Sequence, residues 1–533
     1  MNADTRETTA GVHARVLQQL ESLLGAAQVL RGDRDRRFYA QDVYSAGTPP
    51  LAVLRPGTVA ELQAAVRAAT DAGLAVYPRG GGMSYTSGFQ PESAASVTID
   101  LGRLDRIVAI DLEDRYVTVE CGATWKQLAD ALEPHGLRTP YWGPLSGLRS
   151  TIGGALSQGS IFLGSGLHGP AQESLLGLEV VLADGRLMQV GGASIRCGEP
   201  FFRHHGPDLS GLFTGDCGAL GIKARATLRL LPAPAASLFL SFSFAAADAL
   251  YAVMADVARE GLAAECFAFD PGLQAVRMKR VSLAEDVKSL GKVVKSAGGV
   301  LAGLKEGARI VLAGRNFLDE EGFSLHLGID GRDAVDADAR AARVRQLCTA
   351  HAREVENTIP KVMRASPFME VNSMLGPGGE RWVPVHGVVP LSQGRALHAA
   401  CEAVFAAHAQ ECQRLAIDHG YLSCTVGDRA LLVEPVFYWP DERLEYHERV
   451  LDSAYLAKLE THPANPEARA AVARIRGELA DRFVELGAVS FQLGRFYRYQ
   501  QGLADSAAGL LAALKRELDP RGLMNPGALG LPR

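Results

Sequence analysis

The stretch Pro78-Arg79-Gly80-Gly81-Gly82-Met83-Ser84-Tyr85 decides the fold of the first half of the chain. It follows the apolar run at 74–77, which predicts a short β-strand. Three consecutive glycines leave a row of backbone N–H groups without side-chain cover. Such a row can curl into a nest that binds an anion such as pyrophosphate. A glycine triplet alone is more often a plain turn, so its meaning depends on the rest of the sequence.

Composition limits the class of protein. The 533 residues are 47% hydrophobic and 22% charged, typical of a soluble chain with two or more domains. A net charge of −5 predicts no nucleic-acid surface. Eight cysteines without a C-x-x-C pair predict reduced thiols and no metal site. The chain start lacks a signal-peptide pattern, and no run of 18 apolar residues exists, so we predict a cytoplasmic protein without a membrane span.

The first half reads as an α+β domain. Residues 1–44 form an N-terminal helix, at 11–30, and a lead-in. Over 45–232, strands alternate with helices such as 61–72, which opens at the capping box of Thr58 and Glu61. Further glycine-rich turns follow at 151–159, 164–169 and 215–221, and a D-G turn joins two strands near 184. The pattern is not a Rossmann unit, because no G-x-G-x-x-G motif opens a βαβ unit with an acidic residue downstream.

The remaining chain has a different pattern of predicted strands and helices. Over 233–470, strands at 238–244, 323–329 and 431–437 alternate with Ala-rich helices, predicted at 247–260, 334–352 and 393–419. This pattern predicts an α+β cap domain with one antiparallel sheet. Residues 471–533 are mostly helical and have no core of their own, so we expect them to pack back on the first domain.

The stretch 279–315 stands apart because it is rich in Lys and Arg and contains apolar runs. It fits a peripheral membrane contact. A solvated helix or a loop over the cap explains the same pattern, and we weigh it more heavily.

Four features in order carry a family resemblance. They are the nest at 79–85, the Thr151-Ile152-Gly153-Gly154 turn, the strand pair ending at Ala183-Asp184-Gly185, and the stretch 206–213 leading into 215–222. Together they resemble the PCMH-type FAD-binding domain of the vanillyl-alcohol oxidase / p-cresol methylhydroxylase flavoprotein superfamily. The terminal motif at 518–527 is similar to the closing motif of the same families. The resemblance covers 45–232, extends to 470–533, and is weak across the cap.

The resemblance implies FAD as the cofactor, with its pyrophosphate and isoalloxazine between the two halves of the first domain. Backbone donors without intruding side chains suit a dinucleotide. We expect one wall from Arg79, Gly80, Gly81, Gly82, Met83, Ser84 and Tyr85, the other from Thr151, Gly153, Gly154, Ser157 and Gln158, and further contacts from Ile222 and Asn525.

Covalent attachment of the flavin stays open. In several related branches a histidine in the first nest carries the link, and Met83 at that place excludes it here. The stretch 381–390 resembles a cap strand that carries the linking histidine in the vanillyl-alcohol oxidase branch, although the His-to-Pro spacing is one residue shorter. His386 is therefore either the attachment point or an active-site base, and a buried core histidine is the alternative.

The implied reaction is oxidation of a CH–OH group, or of a para-alkylphenol, by hydride transfer to flavin N5. It needs a positioned base, for which His386 is the first candidate. Arg495 and Tyr497 are the second pair, since an arginine can clamp a carboxylate or stabilise a phenolate. A surface strand with solvated cations is the alternative for this pair.

Two substrate classes compete. Residues 206–213 resemble the branch that oxidises D-2-hydroxy acids such as lactate or glycolate, which we slightly favour. That branch carries a His-x-x-Gly-Asp-Gly-Asn-x-His metal motif, which is missing here. Tyr85 stands where the phenol-oxidising branch has a phenolate-binding tyrosine, and Arg495 with Tyr497 echoes its Tyr-Arg pair. The second phenolate tyrosine of that branch has no counterpart near Ser165.

A non-enzymatic alternative is an FAD-loaded accessory subunit without a substrate site. As partners we expect a small-molecule substrate, an electron acceptor (cytochrome, quinone or oxygen) and a second copy of the chain in a homo-oligomer.

Overall fold

The computed structural model describes residues 9–196, 198–280 and 322–531. Cys197 and nearly all of the predicted membrane-contact segment, from residue 281 onward, lie outside the described residues. No helix within the described ranges is long and apolar enough to span a membrane.

The first sheet has four strands in the order β1-β2-β4-β3, with β2, β4 and β3 parallel. Helix Val59–Asp71 connects β2 to β3, and Thr58 Oγ1 caps it by accepting from the amide of Glu61. The predicted helix at 11–30 is Thr9–Leu24, because Gly25 takes a positive φ of 86° and the chain turns into β1. The strands are β1 (Val29–Leu30), β2 (Ala52–Leu54), β3 (Ala75–Arg79) and β4 (Ser96–Asp100).

The second sheet has five antiparallel strands in the order β5-β6-β10-β8-β9. Its apolar face packs on the helices Trp125–Leu132 and Ile152–Gln158. The turn at Asp184 and Gly185 joins β8 to β9 as the sequence predicts. The strands are β5 (Ile107–Asp111), β6 (Tyr116–Glu120), β8 (Leu175–Val181), β9 (Leu187–Gly191) and β10 (Ile222–Arg229), with a two-stranded ribbon of β7 (Leu137–Arg138) and β11 (Leu231–Pro232) beside them.

The cap contains one antiparallel sheet in the order β15-β12-β14-β13-β18-β19-β16, and β17 also pairs with β19. One face packs on helices Ala247–Arg259, Ala334–Cys348, Gly394–Ala407, Ala409–Leu415 and Pro466–Glu485. The strands are β12 (Ala236–Phe244), β13 (Glu265–Phe269), β14 (Phe323–Gly331), β15 (Ala352–Val355), β16 (Arg381–Pro384), β17 (Gly387–Pro390), β18 (Asp418–Val426) and β19 (Ala430–Trp439).

The single helix predicted over 393–419 is wrong. The chain breaks at His408, ends the second helix at Leu415, and takes a left-handed φ of 52° at Ala416. Residues from Asp418 then form β18 in the middle of the sheet, because β19 pairs with it along its whole length and β13 pairs with its residues 422–424. Helix Ala334–Cys348 likewise ends four residues before the predicted limit.

The C-terminal tail returns to the first sheet. After helix Asp505–Leu518, the amide of Val76 donates to Leu523 O and the amide of Asn525 donates to Val76 O. Helix Pro466–Glu485 crosses the predicted domain boundary at residue 470 and packs on the cap. The domain boundaries stay predictions. The shorter helices are Asp33–Tyr39, Ser165–His168, Leu209–Leu212, Pro271–Arg280, Thr358–Ala365, Glu445–Val450 and Ser453–Leu456.

Candidate functional site

A cleft of about 880 Å³, counted out to its open mouth, lies between the two sheets of the first domain. Nearly all the residues predicted to bind the cofactor line it: Arg79, Gly80, Gly81, Gly82, Met83, Ser84, Thr151, Gly153, Gly154, Ser157, Gln158 and Ile222. Tyr85 and Asn525 do not. The structure therefore brings together two stretches that the sequence separates by some seventy positions.

The first wall is the loop that leaves β3 at Arg79. Within the described part of the chain, the backbone amides of residues 80–84 donate no hydrogen bond to any other group. Gly82 takes a left-handed φ of 72°, which bends the loop into a concave shape. Consecutive amides in such a bend form a partial positive charge that attracts an anion.

The glycines also allow the two walls to touch. A Cβ atom on Gly80 would lie 2.3 Å from Thr151 Oγ1, and one on Gly81 would lie 1.9 Å from the carbonyl oxygen of Arg149. Real Cβ atoms do not approach other atoms so closely. The close contact between the walls thus requires glycine at both positions, in addition to the need for uncovered amides.

Arg79 lines the cleft, but its guanidinium is engaged elsewhere. Its Nη1 donates to the carbonyl oxygens of Phe38, Tyr39 and Gln41 at 2.8–3.2 Å. Burial lowers the pKa of this guanidinium, which lies among aromatic rings that include Phe89. The side chain therefore anchors the lead-in of the chain beneath the nest.

The second wall is helix Ile152–Gln158, and its first amides have partners within the protein. The amide of Ile152 donates to Ala123 O, that of Gly153 to Cys121 O, and that of Gly154 to Thr151 Oγ1. The expectation that Gly153 and Gly154 supply free backbone donors does not fit these bonds. The wall contributes shape, because the small residues keep side chains out of the cleft.

The sequence interpretation missed several lining residues beside the fourth glycine-rich turn. Lys223 Nζ lies 2.5 Å from Asp216 Oδ1, and both side chains are 1% exposed. Cys217 and the loop residue Gln492 also line the cleft. Asp216 lies within the glycine-rich turn at 215–221 and Lys223 follows it, so two opposite charges at this turn were the available signal.

Asn525 holds three segments together and does not line the cleft. Its Nδ2 donates to Gly88 O at 2.7 Å and to Cys217 O at 2.5 Å, and its Oδ1 accepts from Arg495. The side chain is buried and its hydrogen-bonding groups are in use. The prediction that Asn525 contacts the cofactor does not fit this arrangement, because its side-chain amide already donates to two backbone carbonyl oxygens of the protein.

Arg495 belongs to the same hydrogen-bond network as Asn525. Its guanidinium donates to Ser87 O, to Asn525 Oδ1 at 2.6 Å and to Pro526 O at 2.7 Å. These bonds tie the tail to the loop after the nest. The structure therefore does not place Arg495 as a substrate clamp, and it separates Arg495 from its predicted partner Tyr497, whose hydroxyl accepts from the amide of His386 at 2.8 Å.

Next to the cleft, His386 lies in a cluster of rings. The imidazole is fully buried and stacks on Phe491 with ring centroids 3.8 Å apart. Tyr85 lies edge-on to it at 6.2 Å and accepts a hydrogen bond from Gln492 Nε2 at 3.3 Å. Burial raises the pKa of the Tyr85 phenol well above its usual range, so the hydroxyl is protonated at neutral pH.

The two nitrogens of His386 face different groups. Nε2 lies 2.7 Å from Phe491 O, and since a carbonyl cannot donate, this nitrogen carries a proton. Nδ1 faces Glu434 Oε2 at 3.5 Å. The Glu434 side chain is 14% exposed, against 0% for His386, so the carboxylate is the accessible member of the pair. The sequence interpretation missed Glu434, which sits alone in an apolar strand.

The comparisons with known proteins begin with residues 50–191, which match a family described as an FAD binding domain. The chain is 31% identical over 252 residues to a D-2-hydroxyglutarate dehydrogenase of Xanthomonas citri pv. viticola, covering 47% of this chain and 51% of that protein. It is 29% identical over 225 residues to a D-lactate dehydrogenase of Archaeoglobus fulgidus, covering 40% and 48%. The chain therefore spans about half the length of these curated relatives.

The fold matches a solved structure almost end to end. The crystal structure of p-cresol methylhydroxylase with substrate bound superposes with a TM-score of 0.73 at 18% identity, covering 98% of this chain and 97% of that one. The chain therefore contains an FAD binding domain at residues 50–191 and shares the fold of p-cresol methylhydroxylase. The predicted α+β fold class and FAD cofactor are thereby confirmed, and the domain match and shared fold support the predicted family resemblance.

The cleft of this FAD-binding domain has the chemistry that FAD requires. A diphosphate needs several N–H donors and no side chain in its way, and the uncovered amides of residues 80–84 provide both. The Lys223–Asp216 pair is neutral overall, so it leaves the nest as the anion-attracting element. Residues 80–84 would hold the pyrophosphate, and the helix Ile152–Gln158 would cover its opposite side.

Proposed function

We propose that this protein is an FAD-dependent oxidoreductase that oxidises the CH–OH group of an aromatic alcohol or the para-alkyl carbon of a phenol. Bound FAD supplies the two-electron acceptor. The proposal rests on the ring cluster of Tyr85, Trp382, His386 and Phe491 beside the cleft, with the carboxylate of Glu434 at its edge. An aromatic substrate fits such a lining, since ring pairs at these spacings attract one another.

Glu434 is the proposed proton acceptor. It lies on the face of β19 that also presents Leu432 and Val436 to the first domain. Its carboxylate takes the substrate's hydroxyl proton and shares it with Nδ1 of His386, whose Nε2 stays bonded to Phe491 O. His386 thus acts behind Glu434, because the stacked Phe491 ring covers the imidazole.

Charge on this face favours an uncharged substrate over a carboxylate. A 2-hydroxy acid would bring a second negative charge towards Glu434, and like charges at short range repel in a partly buried site. The guanidinium proposed to neutralise it, that of Arg495, is bonded to Ser87 O, Asn525 and Pro526 O.

A D-2-hydroxy acid remains the second candidate. The observation that favours it is the similarity to two relatives, a D-lactate dehydrogenase and a D-2-hydroxyglutarate dehydrogenase. Both alignments cover less than half of this chain, so more than half of it is not compared with either relative.

The role of Glu434 is tested by the variant Glu434→Gln. The amide keeps the shape and cannot accept the proton, so anaerobic flavin reduction by an aromatic alcohol should slow by about 10² or more. Stopped-flow absorbance of the flavin measures this rate. Glu354→Gln, which changes an exposed carboxylate paired with Arg345, is the matched control and should keep the wild-type rate. Equal rates in Glu434→Gln and the control would remove Glu434 as the base.

A further inference from the structure

The short cap helix Glu445–Val450 reaches both walls of the FAD cleft. Tyr446 on its first turn contacts the nest, and the carbonyl oxygen of Val450 at its end accepts from Arg149 Nη2 at 2.9 Å. Arg149 belongs to the loop just before the second wall, and its own carbonyl oxygen lies against Gly81. One cap element therefore bridges the two stretches that face each other across the cleft.

Tyr446 makes a specific bond to the nest. Its hydroxyl donates to the carbonyl oxygen of Gly82 at 2.7 Å, and its amide donates to Gln41 Oε1 at 2.8 Å. The residue is fully buried, and burial raises the pKa of its phenol to about 12. The hydroxyl is therefore a proton donor across the physiological pH range.

The bond fixes the orientation of one peptide group in the nest. A trans peptide holds its C=O and N–H on opposite sides, so a Gly82 carbonyl that points at Tyr446 turns the Met83 N–H away from the cap. Met83 lines the cleft, and its amide has no partner among the described residues. A hydrogen bond to the carbonyl also polarises the peptide and makes its N–H a stronger donor.

We propose that Tyr446 is a cofactor-positioning residue, which holds the Gly82–Met83 peptide so that the Met83 amide donates to FAD. The cap thereby sets the affinity of the first domain for its cofactor. The second contact of the helix, in which Arg149 donates to Val450 O, fixes the position of the opposite wall relative to the nest.

The test measures FAD affinity rather than turnover. Flavin-free protein is mixed with FAD, and the rapid quenching of FAD fluorescence gives the dissociation constant. Tyr446→Phe keeps the ring and loses only the hydroxyl, and we expect the dissociation constant to rise about fivefold, the effect of one neutral hydrogen bond. Arg149→Met removes the second contact, and we expect a rise of similar size.

The matched control is Tyr251→Phe. Tyr251 is also buried and loses one hydroxyl bond, to Ser423 Oγ at 2.9 Å, but it lies in the cap core and does not line the cleft. It should lower the melting temperature as much as Tyr446→Phe and leave FAD affinity unchanged. Wild-type affinity in Tyr446→Phe, or an equal loss in Tyr251→Phe, would overturn the proposal. Neither result depends on which substrate the protein oxidises.

Discussion

Gly81 lies where the two walls of the cleft meet, with the carbonyl oxygen of Arg149 in the space that any side chain would need. Glycine is needed at this position for two reasons: the walls leave no room for a side chain, and the cofactor needs an uncovered backbone amide. The neighbouring Gly80 meets Thr151 in the same way. An acidic substitution at Gly81 would thus fail for steric reasons before its charge mattered, so alanine is the informative change.

Gly81→Ala should lower the free energy of unfolding by about 3 kcal/mol, because the new methyl group meets backbone atoms that can move only with the wall. Flavin retention should fall with it, measured as flavin per chain after gel filtration. Gly509→Ala is the control, since a Cβ there meets nothing within 4 Å and the helix Asp505–Leu518 gains from the change. A stable, fully flavin-loaded Gly81→Ala protein would refute the close contact.

The sequence predicted the nest better than it predicted the roles of the side chains around it. The glycine triplet alone is more often a plain turn, and only the later glycine-rich turns in the same order indicated a nest. Arg495 and Asn525 have side chains suited to binding a ligand, yet their partners Ser87 and Cys217 lie hundreds of positions away in sequence. Only the fold reveals that these groups are already paired.

At the element scale, local signals predicted the helices and turns that carry their own caps. Thr58 and Glu61, and the Asp184-Gly185 turn, belong to this group. The Ala-rich run at 393–419 misled because its last residues join β18, whose position is set by β13 and β19. The pairing of a strand with distant strands cannot be predicted from the residues of an Ala-rich segment alone.

The cap helix Glu445–Val450 also carries a pH-dependent contact. His447 accepts from the amide of Leu444 at Nδ1 and donates to Val43 O from Nε2, so it must be neutral. Burial, together with the nearby Arg381 guanidinium, lowers its pKa from 6.5 to about 3. Below pH 6.5 His447 is protonated in the unfolded chain but stays neutral in the folded chain. The free energy of unfolding therefore decreases as the pH falls.

We therefore expect His447→Gln to flatten the acid dependence of stability. Denaturant unfolding between pH 6.5 and about 5 should show a slope smaller than that of the wild type, and the difference should approach about 1.4 kcal/mol per pH unit, the value for one proton, towards pH 5. His168, whose pKa burial lowers to about 4, titrates in both proteins and cancels in the difference. Parallel curves for the two proteins would contradict this role of His447.

At the scale of the whole molecule, the cofactor cleft is completed from three directions. Val43 of the lead-in and Tyr85 of the nest pack within the core of the cap, while Lys515 in the last helix donates to Ala219 O beside the cleft. The sequence predicted that the tail packs back on the first domain, but not that the lead-in and the nest pack within the cap. Their joint contribution to one cleft depends on contacts across the whole chain, which no local pattern encodes.

If the cleft holds FAD and the ring cluster beside it admits an aromatic alcohol or phenol, such a substrate must reduce the bound flavin. The most direct measurement is the visible absorbance of the flavin-loaded protein after anaerobic addition of an aromatic alcohol, a para-alkylphenol and, in parallel, a D-2-hydroxy acid. We predict that an aromatic substrate bleaches the flavin and that the hydroxy acid leaves it oxidised. Bleaching by the hydroxy acid alone, or a flavin that none of them reduces, would contradict it, the latter result pointing to an accessory subunit.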